Sequence, residues 1–152
     1  MTDGTVVQGE SQIPLVKGKI KRVFTTPAEP KAVTSAIQAI READAIVLGP
    51  GSLYTSIMPN LLIPDIAAAI RESEAKKIYI CNVMTQPGET DGYSVSDHVA
   101  AINRHAGAEI IDFVLANNGA VEPAVLQHYA EAGQPPVRID QNETGEEGGT
   151  GI

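Results

Sequence analysis

Apolar residues recur along this chain with two different periods, and the change falls near residue 26. Over Thr5–Ile13 and Lys19–Thr26 the pattern is short, alternating and β-prone, and the segments are joined through Pro14 and Gly18. Such a pattern predicts an antiparallel β pair. Beyond Thr26 helical and strand periods alternate. Pro30 is placed to open a helix in which Val33, Ala36, Ile37 and Ile40 form one apolar stripe. Ala45–Leu48 is an apolar run of strand length, and Asp65 is placed to cap a helix carrying Ile66, Ala69 and Ile70. Ile78–Val83 is the next buried-strand run. Ser94 with Asp97 three residues on resembles a capping box, for a helix through His105 that stops at Gly107. Ile110–Ala116 is a third apolar strand. Pro123 lies near the first turn of a helix bearing Val125, Leu126 and Tyr129, stopped by Gly133, and Val137–Ile139 is a last short strand.

Strands that alternate with short helices need right-handed crossovers, which make a parallel sheet covered on both faces. The expected fold is therefore α/β, a three-layer α/β/α sandwich, in one domain over residues 1–140. From Gln141 to Ile152 the chain is polar, acidic and glycine-rich, and it reads as a disordered tail. With 152 residues, 43% of them hydrophobic, the chain is long enough for a real core. Tryptophan is absent and aromatics make up 4%, so that core is aliphatic. A net charge of −8 excludes broad nucleic-acid binding, which needs a cationic surface. The single cysteine, Cys81, cannot form an internal disulfide and fits a reducing compartment. No apolar stretch nears the ~20 residues needed to span a bilayer. Met1–Gly4 carries no basic region followed by an apolar one, so a cytoplasmic protein without membrane insertion is expected.

The strand Ala45–Leu48 runs into Gly49-Pro50-Gly51 and then hydroxyls at Ser52, Tyr54, Thr55 and Ser56. A glycine turn after a strand exposes backbone N–H groups and admits close approach of a ligand. In open α/β sheets ligands sit at the carboxyl ends of strands. The chemistry suggested is an anion cradle of amides and hydroxyls. No Gly-Lys-Ser/Thr follows, so it is not a P-loop, and the third glycine of the dinucleotide fingerprint is missing. One crossover later, Ile78–Val83 leads into a second polar loop that holds Asn82, Thr85, Gln86, Glu89, Asp91 and Tyr93. Two such loops in equivalent positions can meet at one sheet edge. The turn pairs Pro87-Gly88 and Asp91-Gly92 explain part of that loop by themselves. Asn117 and Asn118 repeat the pattern after the third strand, as crevice residues or plain turn residues. His98 and His105 lie seven apart, too far for one metal without further ligands, and no metal ligand set is assigned. His105 suits a helix C-terminus, and His128 reads as a surface position.

Gly49-Pro50-Gly51-Ser52-Leu53-Tyr54-Thr55-Ser56, Pro59-Asn60-Leu61-Leu62 and Cys81-Asn82-Val83-Met84-Thr85-Gln86-Pro87-Gly88-Glu89-Thr90-Asp91-Gly92-Tyr93, with Asp97-His98-Val99, resemble one family. This is the gluconeogenesis factor (YvcK-type) branch of the CofD-like superfamily, and the likeness runs from about Asp3 to Asp140. It implies a Rossmann-like sandwich in a cytoplasmic bacterial protein that binds UDP-activated sugars such as UDP-N-acetylglucosamine. The implied role is in cell shape, cell-wall synthesis and growth on gluconeogenic carbon sources. The implied ligand-binding set is Gly49, Pro50, Gly51, Ser52, Tyr54, Thr55, Ser56, Asn60, Asn82, Thr85, Gln86, Asp91, Tyr93 and Asn117. In it the glycine turn holds the diphosphate, with Mg²⁺ offsetting its charge. Asn82, Thr85 and Gln86 read hydroxyl or uracil edges, and Tyr93 stacks. The sister branch implies the alternative, a transferase passing a phospholactyl group to a deazaflavin, with Mg²⁺ on Asp91 or Glu89. Family members are longer and open with a strand and a Gly-Gly-Gly-Thr-Gly loop. This chain resembles their C-terminal half, so the N-terminal half is an expected partner, and exposed sheet edges favour homo-oligomers.

Overall fold

Three short aliphatic runs pair side by side in the computed structural model, which describes residues 1–16 and 18–140. They are β1 (Ala45–Leu48), β2 (Lys76–Ile80) and β3 (Phe113–Leu115), in the order β1-β2-β3 and all parallel. Parallel neighbours need crossovers, and the helices supply them. Helix α1 (Thr34–Glu42) precedes β1, whereas α2 (Met58–Leu61) and α3 (Pro64–Glu72) link β1 to β2. Helix α4 (Val95–Ala106) links β2 to β3, and α5 (Pro123–Glu131) follows β3. The fold is α/β with a parallel sheet, as the alternating periods imply.

Side chains along a strand alternate between faces, and the two faces of this sheet differ. Leu48, Tyr79 and Cys81 turn inward and join Leu53, Met58, Ile70 and Ile102 in one aliphatic core. The opposite face is different. The register aligns Val47 with Ile78 and Ile78 with Phe113, and Val47, Phe113 and Leu115 remain 53%, 53% and 60% exposed.

Helix starts follow local chemistry. The Ser94 hydroxyl accepts from the Asp97 N–H and the Asp97 carboxylate accepts from the Ser94 N–H, a complete capping box. Gly107 ends α4 in the left-handed region (φ +75°), where a side chain is disfavoured. Helix α3 starts at Pro64, with Asp65 in its first turn. The Asp65 carboxylate caps no N–H of its own helix and reaches the Ala32 N–H at 3.5 Å. Helix α1 starts at Thr34, not Pro30, and Val33 lies outside it, 68% exposed.

The predicted antiparallel pair over Thr5–Ile13 and Lys19–Thr26 is not formed. Glu10–Leu15 is a 3₁₀-helix, and no described residue before β1 belongs to a strand. Gly9 turns the chain at φ +96°, and single bonds such as Thr2 N–H to Lys19 O (2.9 Å) replace a ladder. Alternation alone cannot make a sheet when neither segment finds a continuous partner edge. At the expected last strand, Val137–Ile139, Arg138 makes only an isolated bridge to Ser94, beside another between Met84 and Pro136. The reading of 141–152 as a tail lies outside the described residues. Among the described residues no single helix is long and apolar enough to cross a membrane. The one stretch that passes by composition, Leu53–Leu61 with Pro64–Glu72, bends by 79°.

Helix α4 also carries two histidines into the interior. His98 is fully buried, and its ring stacks on Tyr79 with centroids 6.4 Å apart. Its Nδ1 lies 2.7 Å from Ser94 O. His105 Nδ1 lies 2.8 Å from Ala101 O, while its Nε2 accepts the Val23 N–H at 3.3 Å, which fits a neutral ring. Burial lowers both pKa values, partly opposed by the bonds to Ser94 O and Ala101 O. The folded state thus binds fewer protons than the unfolded chain, whose histidines titrate near ~6.5. The stability these neutral rings contribute is full above that pH and is lost as pH falls below it. Urea unfolding should show a falling midpoint between about pH 6.5 and pH 5, diminished in His98→Gln. An unchanged midpoint across that window would refute it.

Candidate functional site

The end of β1 is shaped by a glycine that no other residue can replace without movement. Gly49 has φ +92°, and a Cβ there would stand 2.8 Å from the Ile80 carbonyl of the neighbouring strand. The Gly49–Pro50 bond is cis. After Ser52 the chain enters a π-helical turn, Leu53–Ile57, in which the Ile57 N–H reaches Ser52 O at 3.0 Å. Leu53, Tyr54 and Ile57 are buried by that turn, which leaves Ser52 and Thr55 half-buried at its edge.

The loop after β2 closes against this turn. Asn82 spans Gly51 on both sides: its Oδ1 accepts the Gly51 N–H at 3.3 Å and its Nδ2 donates to Gly51 O at 3.0 Å. Gln86 Nε2 donates to the Ser52 hydroxyl at 2.8 Å. Glu89 is 5% exposed, and its carboxylate joins the two loops. One oxygen accepts the Tyr54 N–H at 3.2 Å, the other the Thr55 hydroxyl at 2.9 Å. Tyr54 and Tyr93 share a hydroxyl contact of 2.8 Å, and burial raises the Tyr54 pKa. Thr85 is buried, and both its N–H and its hydroxyl donate to Pro135 O.

Between these loops and the N-terminal segment lies a cavity of about 590 Å³, within the usual range for small-molecule sites. Ser52, Thr55, Gln86 and Glu89 line it from the sheet side, and Glu10, Ser11, Pro14, Pro87 and Gln134 complete it. A larger cavity of about 1130 Å³ lies between the segments around residues 4–10 and 20–26 and the Tyr54–Leu62 region.

Three of the sequence candidates, Ser52, Thr55 and Gln86, thus come together at one cavity. Gly49 and Gly51 shape the turn that leads to it, and Asn82, Tyr54, Tyr93 and Thr85 hold the loops in place. Others stand apart. Asn60 is exposed and donates to Ser56 O, while Ser56 and Pro50 also face solvent. Asp91 closes its own turn by accepting the Gly88 N–H at 2.7 Å. Asn117 bonds to Gly119 in a local turn. The turn amides of the expected anion cradle are largely engaged internally: Gly51 N–H with Asn82, Tyr54 N–H with Glu89, Ser56 N–H with Ser52 O. Glu89 was legible as a loop carboxylate but not as the link between the loops. Glu10, Ser11 and Gln134 carried no local signal at all. Among the described residues no three His, Cys, Asp or Glu side chains are grouped as for a metal ion.

Polar loops converging beyond the ends of a parallel sheet are where α/β proteins place ligand sites. The chain belongs to the CofD family: the family described as 2-phospho-L-lactate transferase CofD matches residues 1–152. It is 53% identical over 142 residues to the gluconeogenesis factor of Halalkalibacterium halodurans, covering 93% of this chain and 44% of that protein. It is 50% identical over 143 residues to the gluconeogenesis factor of Bacillus subtilis, covering 94% of this chain and 45% of that one. A crystal structure of a Bacillus halodurans protein superposes with a TM-score of 0.90 at 53% identity, over 93% of this chain and 45% of its own. The chain therefore spans less than half the length of these relatives.

Proposed function

We propose that the chain forms part of a nucleotide-sugar-binding regulatory protein, a gluconeogenesis factor like its relatives. Its ligand in this reading is a UDP-sugar such as UDP-N-acetylglucosamine. The observation that carries the proposal is the meeting of Ser52, Thr55, Gln86 and Glu89 from two strand-end loops at one cavity. Hydroxyl, amide and carboxylate groups in one place suit a ligand with many hydroxyls, and Tyr93 supports the loop from behind. The remainder of the fold carried by the longer relatives would complete the site as a partner, and the exposed Val47–Phe113 face leaves room for it or for a second copy. A cytoplasmic location and a role in cell shape, cell-wall synthesis and growth on gluconeogenic carbon belong to the same proposal.

Mg²⁺ fits this reading only as a companion of the diphosphate. Glu89 and Asp91 both accept internal hydrogen bonds. The ion would be held by phosphate oxygens and water, its usual preference.

Thermal-shift titration with UDP-N-acetylglucosamine, with and without Mg²⁺, tests the proposal. Binding to the folded state must raise the midpoint in a saturable way, by an amount equivalent to about 2.7 kcal/mol at a hundredfold excess over Kd. A midpoint that stays flat up to millimolar ligand would count against it.

A further inference from the structure

The two cavities differ in charge, and they adjoin. Thr55 and Glu10 line both. Among the described residues the smaller one is lined by two carboxylates, Glu10 and Glu89, and by no lysine or arginine. Glu89 is almost fully buried there, with one hydrogen bond to each oxygen and a further lone pair on each. One end of the Gln86 amide is bonded to Ser52, and its other end, Oε1, is buried without a partner. The rings of Pro14 and Pro87 offer apolar faces. A phosphate placed here would meet a carboxylate at close range in a partly desolvated setting, which is strongly unfavourable.

The larger cavity has the opposite balance. Lys21 and Arg22 line it, and among the described residues Glu10 is its one carboxylate. Val6 and Phe24, also in its lining, are 71% and 62% exposed. Cations beside exposed apolar faces suit an anionic group joined to a flat ring.

We propose that the two cavities hold chemically different ends of one ligand: a hydroxylated sugar ring beside Gln86 and Glu89, and its phosphate-bearing end beside Lys21 and Arg22. This rests on the nucleotide-sugar reading above and divides its site. It moves the diphosphate away from the Gly49–Ser56 turn, whose amides the protein already uses.

Backbone and side-chain amide shifts of the full chain, titrated with three probes, test the division. N-acetylglucosamine should move the Gln86 side-chain amide and the Ser52 and Thr55 N–H signals. UDP should move signals of residues 21–25 and leave the Gln86 amide in place. UDP-N-acetylglucosamine should move both sets. Replacing the exposed pair, Lys21→Ala with Arg22→Ala, should weaken UDP about tenfold and leave N-acetylglucosamine unchanged. Ser52→Ala should weaken the sugar probe alone. UDP shifting the Gln86 amide, or the sugar probe shifting residues 21–25, would overturn the division while leaving nucleotide-sugar binding intact. Saturable UDP-sugar binding that moves neither set would do the same. No shift with any probe would overturn both.

Discussion

Replacing Glu89 by alanine should cost about 3 kcal/mol of folding stability, more than any other single polar side chain in the two loops. The carboxylate is buried and holds the π-helical turn after β1 through the Tyr54 N–H and the Thr55 hydroxyl. Bonds to a charged acceptor contribute about 1.5–3 kcal/mol each, and their loss here leaves a buried N–H unpaired. The two contributions do not add in full, because the Thr55 hydroxyl can turn toward the cavity. Glu89→Gln keeps one acceptor oxygen and should cost about 1 kcal/mol. Urea unfolding of the three proteins, with equal slopes, gives both differences directly. If the alanine variant came within about 0.5 kcal/mol of the parent, as for an ordinary surface position, Glu89 would not be the link between the loops.

The second large effect is steric. Gly49→Ala puts a side chain at φ +92° and a Cβ 2.8 Å from the Ile80 carbonyl. Backbone strain of about 1–2 kcal/mol and an overpacking cost of about 1–3 kcal/mol combine to about 3 kcal/mol. The obstructing atom belongs to the backbone of β2, so it cannot swing aside as a side-chain end would. Relief requires the β1 exit to shift away from β2, which carries Ser52 and Thr55 off their partners Gln86 and Glu89. Gly51→Ala is the internal comparison. Its φ is not in the left-handed region, and its Cβ would lie 3.4 Å from Ser56 Cβ. It should cost under about 1 kcal/mol. Equal midpoints for the two variants would show that close approach at Gly49 is not what shapes the turn.

A related constraint ties the second loop to the N-terminal segment. Gly88 has φ +78°, and a Cβ there would run into the Pro14 backbone. Pro14 lines the smaller cavity together with Glu10 and Ser11. The segment that failed to become a β pair thus packs against the loop as one wall of the cavity.

Much of this arrangement is legible in the residues themselves. Each of the apolar runs Ala45–Leu48, Ile78–Val83 and Ile110–Ala116 overlaps a strand, although β2 ends at Ile80 and β3 covers only Phe113–Leu115. The Ser94/Asp97 box and Gly107 mark both ends of α4 because caps depend on neighbours within one turn. Gly49 and Gly88 are visible as glycines whose loops need unusual backbone. These features are local, so a short window of sequence contains their whole cause.

The rest depends on contacts distant along the chain. Glu89 meets residues 34 and 35 positions earlier, and Asn82 meets Gly51 from 31 positions away. Nothing near Glu10 or Gln134 says that they face the same space. The β-prone pattern before residue 26 lacked only a partner edge, and the packing of Pro14 against Gly88 took its place. The turn amides of Gly51 and Tyr54 are engaged by Asn82 and Glu89, while Ser52 and Thr55 still line the cavity. Turn chemistry is set by adjacent residues, but hydrogen-bond partners are assigned by which loops the parallel sheet brings to one edge.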